Sequence, residues 1–198
     1  WSTAVGGRSN TASGVYSFVG GGQENTVSGD HSIIGGGYQC TATHAYNVVG
    51  GGYSNDATSN YATASGGFGN TASGLAATVA GGDLNSARSG RSFIGGGSNN
   101  GIGTSADFAT VGGGYLNAAN GNYATVAGGE SNAAYSTHTH HTVGGGKSNI
   151  ASDDYATIAG GDSNAASGEY ATVSGGQSNT ASSNGGGGHT TVSGGKNN

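Results

Sequence analysis

The chain has 198 residues, of which 45 are Gly, with no Pro, no Met and only 8% charged residues, far from ordinary globular usage. Ten acids against five bases give a formal charge of −5, so there is no basic footprint for nucleic acid and no polybasic patch for a membrane. Collagen is excluded because Gly does not fall at every third residue, and disorder is opposed by the periodicity of the Gly and by a regular apolar anchor.

Close copies of one unit, written most cleanly as Asn164-Ala-Ala-Ser-Gly-Glu-Tyr-Ala-Thr-Val-Ser-Gly-Gly176, run along the chain. Its apolar anchor stands at Ala4, Val19, Ile34, Val49, Ala64, Val79, Ile94, Val111, Val126, Val143, Ile158, Val173 and Val192. Nine of the twelve intervals are fifteen residues, two are seventeen and one is nineteen. A short fixed period predicts stacked, near-identical coils, and no shift in composition divides them, so residues 1–198 are expected to form one parallel β-solenoid domain.

Within each copy, the first predicted element ends on the anchor. Three residues before it stand Trp1, Tyr16, His31, Tyr46, Tyr61, Ala76, Arg91, Phe108, Tyr123, His140, Tyr155, Tyr170 and His189, and the residue just before it is usually Thr. Ring, small, β-branched, β-branched is a strand pattern, with the anchor and small residue facing inward and the ring and Thr facing outward. A Gly-Gly pair follows as the first corner. Tyr38, Tyr53, Phe68 and Tyr115 stand beside that corner as a candidate ligand-binding row, since exposed rings can stack on sugars. The alternative is that the rings cover one another.

Six residues after the anchor comes Asn in every copy but the third, where Cys40 replaces it, and two residues further on is usually Ala. That spacing predicts a second short strand whose inward Asn side chains stack and donate to one another along the axis. Ser-Gly makes the second corner. Two strands per coil at about 4.8 Å per step would give a rod about 60 Å long. The longer copies place their extra residues at Gly103 to Asp107, Tyr135 to Thr139 and Ser182 to Gly188, all on one edge.

Cys40 is the sole cysteine, so no disulfide framework exists within the chain. The best metal candidate is His138 with His140, two apart and thus on one strand face. Asp153 and Asp154 are adjacent and would point apart on an extended chain. No Ser, His and Asp spacing stands out, and the Gly-rich corners lack a following helix or Lys, so neither an enzyme nor a cofactor is expected. Each coil buries little more than one Val or Ile, which makes a lone monomer marginal against the entropy of ordering fifteen residues. The outward ring face, with Tyr16, Tyr46, Tyr61, Phe108, Tyr123, Tyr155 and Tyr170, is therefore expected to mediate self-association.

A short small-x-Val/Ile-Gly, x-Ala-x-Gly unit repeated without Pro resembles the head repeats of trimeric autotransporter adhesins of the YadA type. Similar Gly-Gly-Gly-x-x-Asn-x-Ala-Ser-Gly arrays resemble bacterial surface proteins and phage-like tail fibres. The resemblance covers all thirteen copies. It implies a left-handed β-roll, a homotrimer, and attachment to a host-surface glycan or protein from an extracellular, cell-surface or virion fibre. Here Tyr-Ala-Thr-Val-x-Gly-Gly stands in place of the family's Ser-Val-Ala-Ile-Gly, and an Asn column is added.

The leading expectation is a segment of such a fibre or a filament subunit, self-associating as a trimer or end to end. An ice-binding solenoid and a carbohydrate-binding module using the corner rings are the alternatives. Neither a nucleic-acid partner nor membrane insertion is expected within the chain.

Overall fold

A computed structural model describes residues 1–135, 138–183 and 188–198. The protein is an all-β parallel solenoid, and among the described residues there is no helix. It comprises two compact units, Trp1–Asn99 and Asn100–Asn198, each with the same coil.

In the first unit, two-residue strands such as Phe18–Val19, Ile33–Ile34 and Val48–Val49 pair in parallel, in the register Phe18↔Ile33 and Ile33↔Val48. The intervening strands Thr26–Val27, Thr41–Ala42 and Asp56–Ala57 form a second parallel sheet, Thr26↔Thr41 and Thr41↔Asp56. The second unit repeats the plan, with Thr110–Val111, Thr125–Val126 and Thr142–Val143 in one sheet and Ala118–Ala119, Ala133–Ala134 and Ile150–Ala151 in the other. Anchors Val19, Ile34, Val49, Val79 and Ile94 are fully buried and meet the inward Val27, Ala42, Ala57, Ala72 and Ala87. A third ladder, one residue wide, follows the Gly-Gly corner and joins Gln23, Tyr38, Tyr53, Phe68 and Asp83 by parallel bridges. The two-strand expectation omits it because a single extended residue leaves no alternating pattern to read.

Two details differ from the sequence-based expectation. The ring residues are not in the strand: Tyr16, Tyr46 and Tyr61 have φ of 57°, 61° and 62°, and Phe108, Tyr123, Tyr155 and Tyr170 have φ of 61°, 57°, 57° and 55°. The left-handed backbone costs a side-chain-bearing residue about 1–2 kcal/mol. It turns the N–H back along the axis, so that Tyr46 donates to the Asp30 carbonyl at 2.9 Å and Tyr61 to that of Ala45 at 3.0 Å. Ring stacking, worth about 0.5–1.5 kcal/mol per pair, offsets much of this.

The Asn column is buried as expected, yet its amides pair chiefly with backbone. Asn70 Nδ2 donates to the Gly66 carbonyl at 2.8 Å and to the Gly82 carbonyl at 2.7 Å, while its Oδ1 accepts the Asn85 backbone N–H at 3.0 Å. Amide-to-amide bonds occur at some steps, as from Asn164 to Asn149 at 3.1 Å. The backbone wins because the Gly corner leaves carbonyls facing the core that must find donors.

The corners need Gly for two reasons. At Gly22, φ is +88°, a conformation that side chains rarely adopt. At Gly74, a Cβ would lie 1.9 Å from the Ser89 carbonyl oxygen, so close coil stacking excludes one. Cys40 takes an Asn position and is buried; its N–H donates to Asn25 Oδ1 at 3.0 Å, and burial pushes its thiol pKa up.

The insertion Gly103 to Asp107 is described throughout. Those at Tyr135 to Thr139 and Ser182 to Gly188 lie partly outside the described residues, at 136–137 and 184–187.

Candidate interaction faces

The left-handed ring residues form a ladder in each unit. In Trp1–Asn99, Tyr16, His31, Tyr46 and Tyr61 stack with centroids 5.2, 5.1 and 5.1 Å apart. In Asn100–Asn198, Phe108, Tyr123, His140, Tyr155, Tyr170 and His189 stack at 5.0, 4.8, 4.9, 4.9 and 4.8 Å. These spacings follow the coil repeat, so each ring's face is taken by its neighbour and its edge is turned outward. All the residues expected on the self-association face therefore fall into one ladder per unit, and all are exposed.

Beside the ladder runs the outward row of the first sheet. In the first unit it carries Phe18, Ile33, Val48 and Phe93, exposed at 38, 44, 42 and 41%, together with Thr3, Thr63 and Thr78. Phe18, Ile33 and Val48 are consecutive and in register, so with the rings they make a contiguous apolar strip. In the second unit the same row is Thr110, Thr125, Thr142, Thr157, Thr172 and Thr191.

The corner row of Tyr38, Tyr53 and Phe68 lies in the third ladder. Its rings stack at 5.1 and 5.0 Å, with interplanar angles of 46° and 22°, and thus cover one another's faces. Gln23 and Asp83 flank the row, so Tyr38 and Phe68 each have a ring on one side only. Tyr115 stands at the corresponding place in the second unit, next to Glu130. The Glu24 carboxyl beside Tyr38 is held below the ordinary range, first by the Gln23 amide at 2.8 Å and next by the Gln39 amide at 2.9 Å. Desolvation, then the Glu24 charge, pushes the Tyr38 phenol upward.

His138 and His140 have different surroundings. His140 sits in the ring ladder, with Nδ1 2.8 Å from Thr139 Oγ1. His138 instead meets Asp153 and Asp154, which occupy a turn and converge on it, against the expectation for an extended pair. The signal was present in the sequence: His138 and Asp153 are fifteen residues apart, one coil, so a column reading puts them side by side. Asp154 is held below the ordinary carboxyl range, first by the Thr139 N–H and then by His138. His141, in the inward small-residue column, is buried, and burial lowers its pKa.

A scan of known protein families and a search of curated proteins find no match for the chain. No helix is long and apolar enough to cross a membrane among the described residues.

Proposed function

We propose that the chain is a structural, non-enzymatic element of an extracellular fibre, and that its copies associate side by side through the ring ladder and the adjoining apolar row. The observation that carries this reading is the strip formed by Tyr16, His31, Tyr46 and Tyr61 with Phe18, Ile33 and Val48, all exposed in the single chain. A contiguous apolar strip of this kind on a soluble surface marks a place of contact. The thin interior gives association a thermodynamic reason, since lateral packing buries area that a coil of Val, Ala and Asn cannot supply. Resemblance to trimeric adhesin heads suggests three copies and a role in surface attachment.

The test converts the first unit's outer row into the residue that the second unit uses at the same column. Phe18→Thr, Ile33→Thr and Val48→Thr together place a strand-favouring β-branched residue at each position and leave the interior untouched. Light scattering and electron microscopy should show a wild-type oligomer, and the triple variant should dissociate at concentrations at least tenfold higher, consistent with about 1–2 kcal/mol per lost apolar contact. A wild-type monomer at high concentration would sink the proposal.

Ice binding is the second reading, and the in-register Thr row of the second unit supports it. Thr125↔Thr142 and Thr142↔Thr157 place hydroxyl and methyl groups at the coil repeat of about 4.8 Å, next to the small residues Ala127, Gly144 and Ala159. Thermal hysteresis from a monomer, lost in Thr142→Tyr, would favour this reading over the fibre.

A further inference from the structure

We propose that His138, Asp153 and Asp154 form a binding site for a divalent first-row transition ion, with Zn²⁺ suited to one imidazole and two carboxylates. The coil repeat assembles the site. His138 lies on one coil, and Asp153 and Asp154 lie on the turn of the next, so the site clips the seventeen-residue coil to its neighbour.

Both carboxylates are held by backbone N–H groups. The Thr139 N–H donates to Asp154 Oδ1 at 2.7 Å, which leaves Oδ2 aimed at His138. The Asp154 N–H donates to Asp153 Oδ1 at 2.9 Å. Such outer hydrogen bonds orient ligands in metal centres.

The distances suit a metal site. His138 Nδ1 is 3.3 Å from Asp154 Oδ2 and 3.4 Å from Asp153 Oδ1. A charge-assisted N–H···O bond closes to about 2.7–2.9 Å, so both contacts are long for a protonated imidazole between two carboxylates. Ligands about 2.0–2.1 Å from a tetrahedral zinc stand about 3.3–3.4 Å from one another. The two edges from His138 match that figure, and all three donor atoms lie within 4.8 Å of one another. His140 is engaged in the ring ladder, and His138 is exposed, so the remaining position opens to solvent.

Zn²⁺ titrated into the full chain, followed by calorimetry and by the imidazole resonances, tests the assignment. One equivalent should saturate, with the His138 ring signals shifting. His138→Gln and Asp153→Asn should each weaken uptake at least tenfold, while His140→Gln should leave it unchanged. Asp153→Asn retains the acceptor for the Asp154 N–H, and circular dichroism matching the wild type shows that the coil is intact. The proposal is overturned by the lack of saturable uptake, by uptake undiminished in His138→Gln, or by equal loss in His140→Gln.

Discussion

In Trp1–Asn99 the outward row of the second sheet is Thr11, Thr26, Thr41, Asp56, Thr71 and Ser86, whereas in Asn100–Asn198 it is Gly101, Ala118, Ala133, Ile150, Ala165 and Thr180. The outward row of the first sheet differs as well: in the first unit it mixes apolar Phe18, Ile33, Val48 and Phe93 with Thr3, Thr63 and Thr78, and in the second it is Thr throughout. The first unit therefore carries its outward apolar residues on the first sheet, in the run Phe18, Ile33 and Val48 and again at Phe93, whereas the second carries its small and apolar outward residues on the second sheet. The interiors do not differ in this way, since both consist of the same Val or Ile, Ala and Asn columns. The inward positions are fixed by stacking, because a coil that departs from them loses its fit to two neighbours. The outward positions are free of that demand, so they can differ between the units.

The shared interior predicts equal sensitivity. Asn70→Ala strips donors from the Gly66 and Gly82 carbonyls and the acceptor from the Asn85 N–H. Asn132→Ala does the same to Gly128, Gly146 and Asn149, at 2.9, 2.8 and 3.0 Å. With about 1–3 kcal/mol for each buried group left without a partner, both variants should lose about 3 kcal/mol or more in denaturant titrations. A large gap between them would show that the interiors are not equivalent.

The differing exteriors predict a transferable property. Thr142→Ile with Thr157→Val writes the first unit's apolar character onto the second, beside the Tyr123, His140 and Tyr155 rings. Sedimentation should show association strengthened by about 1–2 kcal/mol, with little change in stability. Unchanged association would locate the contact in Trp1–Asn99 alone.

The smallest effect concerns pH. His141 is buried with its pKa lowered, so on acidification the unfolded chain takes up its proton first, near the ordinary value of about 6.5. Stability contributed by the neutral ring is present above that pH and falls as pH drops through 6.5 toward the folded pKa. His141→Asn, the residue that its column carries at Asn47, should flatten the melting temperature between pH 7 and 5. Asp154, with a lowered carboxyl pKa, acts in a separate window: its contribution is present above the ordinary carboxyl pKa of about 3.9 and is lost below it.

The fifteen-residue period made the solenoid, the inward Val and Asn columns and both corners legible before any coordinates, because each is a repeated choice of residue type. The left-handed ring residues were not legible, since aromatic side chains ordinarily favour strands, whereas here the whole column is left-handed, Ala76 and Arg91 included. The third ladder was hidden because one extended residue has no period. At the candidate sites, the apolar strip could be seen column by column, whereas the meeting of His138 with Asp153 needed the coil length to be applied to a pair that looked unrelated along the chain.

The hydrogen bond from an Asn backbone N–H to the preceding Asn Oδ1 recurs along the column, spanning fifteen residues from Asn85 to Asn70, seventeen from Asn117 to Asn100 and nineteen from Asn198 to Asn179. Excising residues 56–70 would bring the Asn85 N–H to Asn55 Oδ1, the acceptor that Asn70 uses now, and every later column would stay in step. Removing one residue fewer would turn Val79 outward and Thr78 inward, because alternation admits no fraction of a turn. Length in this protein can therefore be edited like a count of beads along the axis, with extra residues inside a coil taken up at the one edge where the longer copies place theirs.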